Sequence, residues 1–373
     1  MKVLMTADAV GGVWTYAIEL CAALARHDVQ VVLATLGPRP KRAHCEQLAA
    51  LRNVRLISAD YRLEWMSDSH QDVARSGEWL RRVAAQECVD LVHLNGYAHA
   101  ALPWSQPTIV VAHSCVESWW QAVHGEPPPE EEWGLYRQRV IAGLASAHCV
   151  VAPTHAFLRT LCDLYGSRAN VRVIHNARSV ECFTADHEHE RLPIVLACGR
   201  LWDQAKRLRT LDAIAAQLPW RVFIAGEPTS PDGCTTAARA ATGLGELSAD
   251  AIATWMQRAS IFVHPASYEP FGLAVLEAAL AGCALVLADL PTLRELWNEA
   301  AVFVDAGDER ELRAALVDLI EHPLRRVRLA RAARARAAQF SPAAMGTAYA
   351  GLYRELLQRH TPEQFPALEA ALA

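Results

Sequence analysis

Paired cysteines are missing from this chain: its ten stand singly at positions 21, 45, 88, 115, 149, 162, 182, 198, 234 and 283, with no CxxC and no zinc-finger spacing. That pattern excludes a disulfide framework and reads as reduced thiols of a cytoplasmic protein. A strong charge of one sign is missing too. The formal net charge of −5 offers no general attraction to nucleic acid, and no RNA-binding aromatic signature is present, so nucleic acid is not an expected partner. No segment reaches the ~18 uninterrupted apolar residues of a membrane-spanning helix. The N-terminal MKVLMTADAVGG enters a strand directly, without the apolar run of a signal peptide. The expectation is a cytoplasmic protein, with peripheral contact to a membrane left open.

What is present is a normal packed composition, 52% hydrophobic and 21% charged over 373 residues. That length favours two domains of roughly 150 to 200 residues. KVLMTA, VQVVLATL, VRLISA, DLVHLN, TIVVAH, HCVVAP and VRVIHN alternate with helical stretches, which predicts parallel βαβ units. After Asn176 a polar connection, ARSVECFTADHEHERLP, interrupts the alternation. It restarts with IVLACGRL, WRVFIAGE, SIFVHP, CALVLAD and AVFVDA. The fold class is therefore α/β, with two facing Rossmann-like doubly wound domains and a cleft between them.

Three helical stretches close the chain: ERELRAALVDLIEH, LRRVRLARAARARAAQF, and SPAAMGTAYAGLYRELLQRH with Ser341 and Pro342 as cap and first turn. The arginine-rich middle stretch has Leu, Ala and Val at helical spacing. A solvated amphipathic helix is the favoured reading and contact with an anionic surface the other.

In a doubly wound sheet, ligands bind beyond the carboxyl ends of the strands. SYEPFGLAVLEAALAG, which follows strand SIFVHP, is such a junction: a Pro-Phe-Gly turn leads into a helix whose first amides, around Phe271, Gly272 and Leu273, are free donors. The helix end carries about half a positive charge, which suits phosphate. Glu277, near the second turn, is placed to accept hydrogen bonds from the paired hydroxyls of a ribose, since an ionised carboxylate only accepts. Glu269, before the turn, lies where a sugar on that phosphate would extend. Two glutamates at this spacing also fit a helix with one exposed and one capping residue.

In CGRLWDQAKRL, Arg200 and Lys206 follow a strand end, where a departing diphosphate needs cations if no metal supplies charge. No Asp-x-Asp, the usual metal-carboxylate motif for nucleotide sugars, occurs in the chain. No metal cofactor is expected, although Arg200 also has structural partners in reach in Asp203 or Glu227. ADAVGGVWTY ends the first strand in Gly11-Gly12, which lets backbone approach a ligand from the other lobe, or simply makes a tight turn. The DHEHE run has metal-ligand residue types but no helix to fix His187 and His189, which argues against a site there.

These elements in this order resemble the GT-B glycosyltransferases of family 4, a retaining group that uses nucleotide-activated sugars. The resemblance spans nearly the whole chain: Gly11-Gly12, VAHS at His113, VVAPTHAFLRTL, VIHNA at Asn176, GRLWDQAK, LGELS and YEPFGLAVLEAALAG. It implies that Arg200 and Lys206 bind the donor diphosphate, assisted by the amides of Phe271, Gly272 and Leu273, with Gly11 and Gly12 beside it. It further implies that Glu277 holds the ribose, Glu269 contacts the donor sugar, and Leu244 and Gly245 line the base. His113 would face the reacting sugar, or be a structural histidine. GLGELS half-matches a dinucleotide fingerprint but has serine in place of the third glycine, which argues against nicotinamide.

The resemblance divides the chain into residues 1–178 on the acceptor side and 179–341 on the donor side, with a last helix near 342–359 crossing back. Arg207 departs from it, standing where the family often has glycine. Trp14, Tyr16, Trp119 and Trp120 make the first domain unusually aromatic, to stack on an acceptor or to fill the core. The implied activity is metal-independent transfer of a sugar, from a UDP- or GDP-sugar by preference, to a small-molecule, glycan or lipid-linked acceptor with retention. The alternatives are a nucleotide-sugar epimerase, a disaccharide phosphorylase or a non-catalytic nucleotide-sugar-binding protein.

Overall fold

The computed structural model describes residues 1–9, 11–66, 68–167, 169–183, 191–230 and 233–360. The DHEHE run falls outside the described residues. The first sheet contains β1 (Lys2–Asp8), β2 (Gln30–Leu36), β3 (Val54–Ser58), β4 (Leu91–Leu94), β5 (Thr108–Val111), β6 (Cys149–Ala152) and β7 (Val171–Val173). They pair in parallel in the order β3-β2-β1-β4-β5-β6-β7. The second contains β8 (Leu192–Cys198), β9 (Arg221–Ala225), β10 (Thr242–Gly245), β11 (Ala259–His264), β12 (Ala284–Ala288) and β13 (Ala301–Val304). Its order, β10-β9-β8-β11-β12-β13, is again parallel throughout.

The helices α1 (Gly12–Leu24), α2 (Arg42–Ala49), α3 (His70–Gln86), α4 (Val116–His124), α5 (Glu130–Ser146) and α6 (His155–Tyr165) accompany the first sheet. Those that accompany the second are α7 (Leu208–Ala215), α8 (Ala249–Arg258), α9 (Leu273–Leu280), α10 (Pro291–Trp297), α11 (Glu309–Glu321) and α12 (Pro323–Ala337). Strands β11 and β12 are buried along their whole length, as strands covered by helices on both faces must be. The short edge strand β10, Thr-Gly-Leu-Gly, was not among the expected strands, because two glycines in four residues leave no strand pattern to see.

The last helix, α13 (Pro342–His360), returns to the first domain, where Met345, Tyr349, Tyr353 and Leu356 join the apolar cluster of Val3, Leu20 and Leu24. Each such side chain contributes about 1.5–3 kcal/mol on burial. Tyr353 Oη lies 2.7 Å from His93 Nδ1 at the centre of the sheet. The arginine-rich α12 is an ordinary packed helix: it buries Ala333 and Ala337. Arg326 donates to the Leu319 carbonyl at the end of α11 (2.7 Å) and Arg336 to Leu296 at the end of α10 (2.8 Å), so two of its cations satisfy helix C-termini. No helix among the described residues is long and apolar enough to cross a membrane.

The seam between α13 and α1 depends on Gly346, where an added Cβ would stand 2.7 Å from Ala23 Cβ. Gly346→Val is expected to destabilise the protein by about 1–3 kcal/mol through overpacking, read as a lower Tm by calorimetry. An unchanged Tm would mean that α13 is not held in this seam.

Candidate active site

Each sheet reverses its strand order once, at β1/β4 and at β8/β11, and the segments leaving those strands carry most of the site, with those after β5 adding His113, Ser114 and Trp119. Between them lies a cleft of about 450 Å³. Gly11, Gly12, Thr15, His113, Ser114 and Trp119 line it from the first domain, and Arg200, Lys206, Glu269, Gly272, Leu273 and Glu277 from the second. Phe271 lines it as well, whereas Leu244 and Gly245, at the end of β10, are outside this lining.

On the second-domain side, α9 opens at Leu273 after Gly272 (φ +89), with no side-chain cap on its amides. Gly12 approaches the first residue of α9 so closely that a Cβ there would lie 3.4 Å from Leu273 Cδ1. The two glycine turns therefore come from opposite domains and meet. Arg200 Nη2 is 2.7 Å from Asp203 Oδ2, and its guanidinium lies over Trp202 at 4.8 Å. Lys206 Nζ is 2.9 Å from Glu269 Oε2, and His264 Nε2 reaches the same oxygen at 3.0 Å. Burial alone would raise the Glu269 pKa, but Lys206 and His264 hold the carboxyl well below its usual range. Glu269 is thus ionised and already bonded. Arg207 follows in a left-handed conformation (φ +46), which explains structurally why glycine suits that position.

On the first-domain side, His113 Nε2 is 2.8 Å from Asn95 Oδ1. Asn95 Nδ2 donates to the Thr6 carbonyl at 2.6 Å, so its oxygen is the atom turned to the imidazole. His113 is then the Nε2–H tautomer, with Nδ1 as its acceptor. Burial lowers its pKa to about 3, leaving the ring neutral in use. Tyr16 packs edge-on against it at 4.5 Å. Tyr16 and Trp14 are core residues, whereas Trp119 lines the cleft.

The domains are fastened beside the cleft by polar contacts. Tyr268 Oη pairs with Ser118 Oγ at 2.7 Å, and Thr154 Oγ1 donates to the Pro270 carbonyl at 3.1 Å. Glu295 takes the His155 and Ala156 amides at 2.8 and 2.7 Å, which caps α6 from the other domain. Glu277 is paired with Arg178 at 2.7 Å. Sequence reasoning did not single out Asn95, Arg178, His264 or Tyr268. Asn95 had a signal, since it follows β4 at the strand reversal; Arg178 had none.

Two facing Rossmann-like sheets with the ligand-competent loops of both on one cleft define the GT-B class of glycosyltransferase. Two family profiles match in succession, "Glycosyltransferase Family 4" over residues 10–181 and "Glycosyl transferases group 1" over residues 192–322. The chain belongs to the GT-B glycosyltransferases of family 4 type. It is 26% identical over 409 residues to a glycogen synthase of Mycobacterium tuberculosis, covering 97% of this chain and 96% of that one. It is 27% identical over 186 residues to a D-inositol 3-phosphate glycosyltransferase of Thermobispora bispora, covering 49% of this chain and 40% of that protein. Among solved structures, sucrose-phosphate synthase from Thermosynechococcus elongatus superposes with a TM-score of 0.80 at 20% identity, covering 96% and 100% of the two chains. Anabaena HepE in complex with UDP-glucose superposes at 0.74 and 17%, covering 95% and 100%.

The neutral state of His113 is checked by histidine NMR. Between about pH 5 and about pH 8 its ring signals are expected not to titrate, and a midpoint in that range would contradict an uncharged imidazole.

Proposed function

We propose that this enzyme is a retaining glycosyltransferase that moves a sugar from a nucleotide-sugar donor, UDP- or GDP-linked, to a small-molecule, glycan or lipid-linked acceptor without a metal. The observation that carries this reading is the convergence of Arg200, Lys206 and the uncapped start of α9 on one cleft with Glu269 and Glu277. The cations and helix amides receive the diphosphate, Glu277 the ribose, and Glu269 the hydroxyls of the donor sugar. Leu244 and Gly245 are assigned to the base by family resemblance alone. UDP is the first nucleotide to try, because HepE is described with UDP and UDP-glucose.

The mechanism proposed is same-face attack. As the bond from the anomeric carbon to the diphosphate oxygen breaks, the acceptor oxygen bonds to that carbon on the same side. The acceptor's proton passes to the departing diphosphate, whose charge Arg200 and Lys206 stabilise. The carboxylates lining the cleft, Asp203, Glu269 and Glu277, are each held by a cation, which disfavours any of them as a nucleophile. The two domains, assigned as residues 1–178 with the crossing helix and 179–341, would pivot in the connection near residues 177–192, of which 184–190 lie outside the described residues.

Lys206→Ala is expected to lower kcat by about 100-fold, the scale of a lost transition-state charge partner, and unchanged turnover would reject its role. A thermal-shift screen against UDP, GDP, ADP and their sugar conjugates identifies the donor; stabilisation by none of them would reject the reading. NMR of the product's anomeric configuration tests retention, and inversion or a trapped glycosyl-enzyme adduct would sink same-face attack. Turnover that requires inorganic phosphate would instead mark a phosphorylase.

A further inference from the structure

Arg178 lies in the connection between β7 and β8 and holds a carboxylate from each domain. Its Nη1 donates to Glu19 Oε1 at 2.7 Å, and its Nε lies 2.7 Å from Glu277 Oε1. The side chains of Arg178, Glu19 and Glu277 are only 14, 10 and 14% exposed, so this is a largely buried triad. Glu19 also accepts from the Ser179 amide at 3.1 Å, and the guanidinium lies over Phe183 at 5.2 Å, which fixes the connection around the arginine. Glu19 belongs to α1, which begins at Gly12, and Glu277 to α9, which begins at Leu273. One cation therefore joins the two helices whose N-termini face each other across the cleft.

We propose that Arg178 is a positioning residue for the donor: it holds the Glu277 carboxylate for the ribose and ties that carboxylate, through Glu19, to the stance of α1 over the diphosphate. The proposal rests on the assignment of Glu277 to the ribose. With Oε1 held by Arg178, Oε2 is left to accept from a ribose hydroxyl. A carboxylate does this only while ionised. Burial raises the Glu277 pKa, Arg178 opposes the rise, and Glu19 adds to it. The ionisable groups that face Glu277 are Arg178 from the connection, Glu19 from α1 and Cys198 at the end of β8, whose buried thiol is pushed far up and stays neutral. Without Arg178 the two buried carboxylates repel, the Glu277 pKa climbs further, and the acceptor is lost on acidification at a higher pH than in the native protein. Nucleotide-sugar affinity then falls as pH falls, because the ionised form is the one that binds.

The test is calorimetric titration of the full chain with UDP-glucose, or the conjugate that stabilises it best, at about pH 8 and about pH 6. The diphosphate of a nucleotide sugar has no ionisation in that range, so a pH effect reports the protein. Native affinity is expected to change less than about twofold between the two, while Arg178→Gln binds about tenfold more weakly at the higher pH and a further fivefold, roughly, at the lower, with Arg178→Lys between. A loss that is equal at both pH values, or no loss, overturns the proposal, because a purely structural role would not follow protonation. If Arg178→Gln does not fold, Glu19→Gln combined with Arg178→Gln removes both charges together; Glu277 then lacks its cation but is spared the repulsion, so a smaller pH-dependent weakening is expected, and none would overturn the proposal. Glu277→Ala separates the two assignments. If it binds like the native protein, the ribose assignment fails; if it binds weakly while Arg178→Gln binds normally, only the role of Arg178 fails.

Discussion

Both sheets reverse their strand order once, and most of the site follows from where those reversals lie. A crossover helix must lie over one face or the other of a parallel sheet, so at the point where the order turns, the helices part and the loops leave a crevice. Here the crevice at β1/β4 supplies Gly11, Gly12 and Asn95, and the crevice at β8/β11 supplies Arg200, Lys206 and Glu269. Helix α13 fastens the end of the chain to the first sheet, through Tyr353 and His93 among others, so the domains are joined by a second covalent path besides the 177–192 connection.

The cleft is electrostatically lopsided. Its second-domain wall holds Arg200, Lys206, Asp203, Glu269 and Glu277 in ion pairs, whereas the first-domain wall presents glycine backbone, Thr15, Ser114, Trp119 and a neutral His113. Pairing each cation in advance reduces the cost of burying it and fixes its position before a ligand arrives. Under the function proposed above, an entering diphosphate would compete with Asp203 and Glu269 for Arg200 and Lys206. The opposite wall stays uncharged and presents hydroxyls and an indole face to the cleft.

The fold was largely legible in the sequence because buried parallel strands are continuous apolar runs separated by helical stretches, and CALVLAD or VQVVLATL needs no tertiary context to be seen. β10 was not legible, since Thr-Gly-Leu-Gly becomes a strand only by pairing with β9. Of the cleft lining, Gly12, His113, Arg200, Lys206, Gly272 and Glu277 were legible, because they stand in the loops and first helix turns that follow strands. Asp203, three residues from Arg200, was legible as its partner, whereas the remaining pairings were not. His264 meets Glu269 from within a strand, Tyr268 meets Ser118 across the seam, and Arg178 is distant in sequence from both Glu19 and Glu277.

The order of strands and helices, the two-domain division and the residue types at the strand ends were determined by the sequence alone, because local hydrophobic periodicity and turn chemistry are properties of neighbouring residues. Which charges neutralise one another was decided only by the tertiary structure. An ion pair depends on through-space distance, and Lys206–Glu269, Arg178–Glu277 and the capping of α6 by Glu295 join residues that 63, 99 and 140 positions of chain, roughly, keep apart until the chain has folded.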